Sequence, residues 1–79
     1  MNSAVMTIDL HGKNRYQAKV CIDAALRRSR GIYRIRLVHG FNRGTELRDF
    51  IRDEYAGRSG VLRLDSSEAG ATTLILREW

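Results

Sequence analysis

Both histidines of this chain precede a glycine at the end of an apolar run, in Ile8-Asp9-Leu10-His11-Gly12 and in Ile35-Arg36-Leu37-Val38-His39-Gly40. Asp9 stands two residues before His11, so in an extended strand the carboxylate and the imidazole share a face. An imidazole beside a carboxylate is a natural general base or acid for phosphodiester cleavage, the carboxylate fixing the ring's tautomer. Asp9 and His11 are therefore the candidate catalytic pair. The plainer reading makes both histidines strand-end residues that hydrogen-bond the adjacent loops. Strict alternation also sets His39 with Ile35 and Leu37, so only a bend at the strand end would bring the two rings into one site.

As metal ligands, two histidines and one aspartate form an incomplete shell that water or substrate would have to complete. No cofactor is expected, and binding of a divalent metal stays open, with no complete ligand set behind it. Cys21, the single cysteine, lies in a helical pattern with Ala18, Ile22 and Ala25 and reads as a buried thiol.

The loop Gly40-Phe41-Asn42-Arg43-Gly44 is the second candidate. Its glycines permit tight turning, the helix start that follows offers unpaired N–H groups, and Arg43, Thr45 and Arg48 can reach one anion. This arrangement suits a phosphate, although an ordinary strand-to-helix connection would also need glycine. The loop lacks the Gly-Lys-Ser or Gly-Lys-Thr ending of a triphosphate site and the three-glycine dinucleotide fingerprint.

The elements that position these groups follow from periodicity. Residues 4–10 alternate, with Met6, Ile8 and Leu10 on one side and Val5, Thr7 and Asp9 on the other, which predicts a strand. Asn14 and Gln17 have capping-box spacing, and Ala18, Cys21, Ile22, Ala25 and Leu26 then recur as one helix face up to a stop at Gly31. Arg15, Lys19, Asp23 and Arg27 read as the solvated face. Residues 32–38 form a second strand, with Arg34 and Arg36 opposite Tyr33, Ile35 and Leu37. A second helix follows, N-capped by Thr45, carrying Leu47, Phe50, Ile51 and Tyr55, and closed by Gly57. Residues 61–65 and 71–77 are two strands joined by a short hairpin, hence antiparallel.

The order βαβαββ, with two right-handed crossovers, gives an α/β (α+β two-layer) fold: a four-stranded mixed sheet with both helices on one face. The other face stays open and carries Arg34, Arg36, Arg63 and Arg77 among Val5, Val38, Val61 and Ile75. It suits nucleic acid or, through its apolar residues, a homodimer.

Size and charge bound the rest. The 79 residues, 43% apolar with seven glycines and no proline, form one domain, 1–79. Fourteen basic against nine acidic residues leave +5, and twelve of the basic residues are arginines. Planar guanidinium groups suit bidentate phosphate contacts and base stacking, which favours a polyanionic partner over a merely solvated basic surface. No apolar run is long enough to span a membrane, and the first residues do not form a signal peptide, so the cytoplasm is the default. Tyr16, Tyr33, Phe41 and Trp79 are scattered, with Phe41 at the loop tip the best stacking candidate.

Two segments together resemble the small MutS-related (Smr) domain over nearly the whole chain. Ile8-Asp9-Leu10-His11-Gly12 is similar to that family's Leu-Asp-Leu-His-Gly motif. His39-Gly40, followed by Gly44 and Leu47-Arg48, is similar to its glycine-rich His-Gly or Thr-Gly loop leading into Leu-Arg. Asn42 stands where the family loop commonly has glycine, and Asn tolerates left-handed backbone better than most residues.

The resemblance implies a fold similar to the carboxyl-terminal domain of bacterial translation initiation factor three. It also implies a domain that binds DNA or RNA, with endonuclease activity in several members. On that reading Asp9 and His11 are catalytic and His39, Gly40, Gly44 and Arg48 form the substrate-binding loop, to which the chemistry of the loop and of the open sheet face adds Arg43, Thr45, Arg34 and Arg36 as nucleic-acid ligands. The alternative is a non-catalytic nucleic-acid-binding or protein-interaction module.

Overall fold

Alternating apolar residues build the sheet and two amphipathic stretches cover it. The computed structural model describes residues 4–40 and 44–78. The elements are β1 (Val5–Asp9), α1 (Arg15–Arg27), β2 (Arg34–Val38), α2 (Gly44–Tyr55), β3 (Arg63–Asp65) and β4 (Ala71–Ile75). The sheet order is β1-β2-β4-β3, with β1 parallel to β2 and β4 antiparallel to both its neighbours. Leu10, Ile35, Leu37 and Leu74 from the sheet meet Ala18, Ile22 and Ala25 of α1 and Leu47, Ile51 and Tyr55 of α2 in one buried cluster. Both helices therefore cover the same face. Each large aliphatic side chain withdrawn there contributes roughly 1.5–3 kcal/mol.

The other face follows the register: Thr7, Arg36 and Thr73 form one row, and Val5, Arg34, Ile75 and Arg63 another. Val5 is exposed there, but Ile75 is buried between Arg34 and Arg63. Val61 does not belong to this face. It follows the turn at Gly60, donates its N–H to the Arg58 carbonyl at 2.9 Å and joins the helix-side core, because strand alternation has not yet begun at that point.

The capping box forms as its spacing predicts. Asn14 Oδ1 accepts from the Gln17 N–H at 2.8 Å and Gln17 Oε1 accepts from the Asn14 N–H at 2.9 Å, fixing the start of α1. That helix ends at Arg27, short of Gly31. The Leu26 carbonyl accepts instead from the Ser29 hydroxyl, at 2.7 Å, and the Ser29 N–H, so the helical ladder is not continued. Gly31, at φ +79°, serves the turn into β2.

Thr45 is not the N-cap of α2. The helix already begins at Gly44, which places Thr45 in its first turn. Cys21 is partly buried against the core.

The helix face read as solvated is also an interhelical joint. Asp23 accepts from the Tyr55 hydroxyl at 2.7 Å, from Lys19 Nζ at 3.0 Å and from Arg58 at 3.3 Å. The Arg58 guanidinium lies 4.8 Å from the centre of the Tyr55 ring. Burial pushes the Asp23 carboxyl up, but the Tyr55, Lys19 and Arg58 contacts outweigh it and hold the group below the usual carboxylate range.

Candidate active site

The Asp9–His11 pair forms, though the strand geometry alone does not make it. β1 ends at Asp9, and the chain turns, with the Lys13 N–H donating to the Leu10 carbonyl at 3.0 Å. Within this turn Asp9 Oδ1 accepts from the His11 N–H at 3.0 Å and from the His11 ring at Nδ1, 2.7 Å away. These two hydrogen bonds, the ring contact foremost, keep the Asp9 carboxyl below its ordinary range. An ionised carboxylate only accepts, so Nδ1 carries the proton and Nε2 is the basic nitrogen. The His11 side chain is 74% exposed, which leaves Nε2 open to a substrate.

His39 lies on the other side of the sheet. The Leu10 N–H donates to the Val38 carbonyl at 2.7 Å, continuing the β1–β2 ladder, so His39 follows Leu10 into the helix-side layer while His11 stays at the rim. The His39 ring is buried, with Nδ1 3.0 Å from the Gly40 carbonyl and Nε2 3.0 Å from Thr72 Oγ1. The carbonyl can only accept, so Nδ1 donates to it, and in the neutral ring Nε2 accepts the Thr72 hydroxyl proton. Both nitrogens are occupied. His39 is thereby fixed at the base of the second loop, and the adjoining Gly40 lies close to His11, a Cβ there falling 3.9 Å from His11 Cβ.

The residues that lead into that loop are anchored. The Gly70 carbonyl accepts from the N–H groups of both His39 and Gly40, at 3.0 and 2.9 Å, tying the β3–β4 hairpin to the end of β2. Gly40 has φ +89°, a conformation that L side chains avoid. Phe41, Asn42 and Arg43 lie outside the described residues. The predicted contributions of Arg43 as an anion ligand and of Phe41 as a stacking residue therefore stand as expectations.

Two clefts flank the first turns of α2. One, of about 270 Å³, is lined by Gly12, Lys13, Arg15, His39 and Glu46. The other, of about 260 Å³, is lined by Arg48, Arg52, Ser66, Glu68 and Thr72. The structure thus separates residues that the sequence grouped: His39 faces the first cleft and Arg48 the second. Lys13, Arg52 and Thr72 were not singled out from sequence, and Arg15 was read only as part of a solvated helix face. Only Thr72 gave no signal, because its role depends on a partner 33 residues away.

Arg36, Arg63 and Arg77 of the open face are engaged. Arg36 donates from Nε and NH2 to the two carboxylate oxygens of Glu68, at 2.8 and 2.7 Å, and Arg63 pairs with Glu78. The Glu68 contact raises the Arg36 pKa, and the Arg36 contact lowers that of Glu68. Arg77 donates to the Ile32 carbonyl and lies 6.0 Å over the Tyr33 ring. Arg34, four residues along β2 from the row of Asp9, is roughly 13 Å from the dyad along the strand. Arg36 is only two residues away.

Superposition on solved structures identifies the architecture. The chain matches the crystal structure of the Smr domain of Thermus thermophilus MutS2 with a TM-score of 0.81 and 29% identity, over 92% of this chain and 99% of that one. The chain is an Smr-like domain. No protein-family model and no curated protein matches the sequence.

In this Smr-like domain the Asp9–His11 turn and the His39–Gly40 turn occupy adjacent ends of parallel strands, where polar groups of α/β sheets tend to converge. Among its described residues no three His, Cys, Asp or Glu side chains gather as a metal shell. No helix among them is long and apolar enough to cross a membrane.

Proposed function

We propose that this Smr-like domain binds DNA or RNA and cleaves its phosphodiester backbone, with Asp9 and His11 as the catalytic pair. The observation that carries the reading is the 2.7 Å contact between His11 Nδ1 and Asp9 Oδ1 on a ring that is 74% exposed. It presents a base of fixed tautomer to solvent. Nε2 takes a proton from the attacking hydroxyl or water as its oxygen bonds to phosphorus, Asp9 stabilises the resulting imidazolium, and that proton passes to the leaving oxygen as the P–O bond breaks. Lys13 and Arg15, on the turn and at the start of α1, supply positive charge for the phosphate.

Cleavage of single-stranded RNA and of supercoiled DNA, with and without EDTA, tests the proposal. His11→Ala should lower the rate by about 10²- to 10⁴-fold, the usual contribution of a positioned acid or base. Cleavage by His11→Ala and Asp9→Ala at the parental rate would remove the assignment.

A second reading, a binding module without catalysis, is favoured by one observation. His39 is buried with both nitrogens occupied, so it cannot serve as the opposing acid. Salt-sensitive binding with no cleavage product under any condition would establish that reading instead.

A further inference from the structure

We infer that Tyr16 is a base-stacking platform, and that with Lys13 and Arg15 it makes the domain select unpaired nucleotides beside the Asp9–His11 dyad. This rests on the nucleic-acid-binding reading above and extends it to a substrate class.

Residues 11–17 are all exposed, the turn that bears His11 running directly into the first turn of α1. Tyr16 is 76% exposed, more than any other large hydrophobic residue described. Its backbone is fixed, because the Asn14–Gln17 capping box closes around it and the Lys13–Leu10 hydrogen bond sets the turn before it. Helical side chains lean towards the helix N-terminus, so the Tyr16 ring inclines to the turn that carries His11.

Along residues 12–17 the charges are of one sign. Lys13 and Arg15 flank Asn14 immediately before Tyr16, and the first turn of α1 contains no acidic residue. The Arg15–Glu46 contact is long, at 3.5 Å, between side chains 64% and 72% exposed, and leaves Arg15 available to a phosphate. Val20, one turn further along, is also exposed. A protein partner would use Tyr16 and Val20 as an apolar pair, but the cations at the Tyr16 end favour an anionic chain with flat faces.

An exposed aromatic ring on a fixed helix start beside two cations is the arrangement by which unpaired bases are held: the stack accepts any base, and the cations follow the backbone. A duplex keeps its bases stacked internally and cannot present a face to Tyr16. The platform therefore discriminates by strand state and leaves sequence unread.

The test measures binding of fluorescein-labelled poly-dT and poly-U 12-mers, and of a 12-base-pair duplex, by anisotropy at several salt concentrations. Tyr16→Ala should weaken single-strand binding by about 5- to 150-fold. Duplex binding and the slope against salt should be unchanged, and Tyr16→Phe should retain parental affinity. Lys13→Ala and Arg15→Ala should instead each reduce the single-strand salt slope by about 0.7.

Equal losses on single strand and duplex, or no loss in Tyr16→Ala, would overturn the inference while leaving nucleic-acid binding intact. Absence of binding by the parental protein to every probe would overturn both. Circular dichroism melts of Tyr16→Ala confirm that the comparison is between folded proteins.

Discussion

Glu68→Gln should make the domain a tighter nucleic-acid binder. Arg36 lies two residues along β2 from Val38, the register partner of Asp9, and one strand over, which places its Cα about 8 Å from that of Asp9. An arginine side chain can span that distance. In the structure it does not, because both oxygens of Glu68 hold it. The pair is partly solvated, with side-chain exposures of 37% and 50%, so its rupture shifts an equilibrium by about 1.4- to 5-fold.

Removing the competitor should therefore raise affinity by that factor. It should also steepen the salt dependence by about 0.9 for duplex or 0.7 for single strands, the mark of one added phosphate contact. Anisotropy titrations with a labelled oligonucleotide across a salt series measure both quantities. The Glu68→Gln/Arg36→Ala double variant should lose the gain, since the effect passes through Arg36. An unchanged slope, or a gain that survives in the double variant, would refute the reasoning and leave the pair as a tie between hairpin and sheet.

Two further outcomes concern the scaffold. Thr72→Val preserves volume but removes the donor to His39 Nε2, and should cost about 1–3 kcal/mol in urea unfolding at constant m-value. A loss within error would mean that the ring finds another partner. Burial, then the Asp23 contact, raise the Tyr55 pKa in the folded state, so the neutral phenol is the form that folding favours. Its stabilisation is complete below the unfolded value of about 10 and declines as pH rises towards the folded one. The stability gap between the parental protein and Tyr55→Phe should be about 1–2 kcal/mol at pH ~8 and should narrow at pH ~11.

Where the chain speaks locally, the sequence is readable. Period-two alternation marks β1 and β2, the Asn14–Gln17 spacing marks the start of α1, and the short 66–70 connection marks the hairpin. The Asp9–His11 contact is also local, although it arises from a turn rather than from a shared strand face.

What escaped depends on residues far apart in sequence. Asp23 resembles an ordinary solvated carboxylate until Tyr55 and Arg58, 32 and 35 residues later, fold onto it. Arg36 resembles an open phosphate ligand until Glu68 arrives from the hairpin. The two histidines look alike in their motifs, and only Thr72 and the sheet register show that one is buried and the other presented.

The strand order has a consequence for how the site comes into being. β4 is last along the chain yet sits inside the sheet, between β2 and β3. Until it docks, β2 has an unpaired edge, the kind of surface on which chains associate wrongly. The same docking delivers Thr72 to the His39 ring and the Gly70 carbonyl to the two amides that hold the second loop. Assembly of that loop and closure of the sheet are thus a single event. A folding intermediate without β4 could already carry the Asp9–His11 turn while lacking the contacts that hold His39 and Gly40 beside it, so the two halves of the site mature at different times.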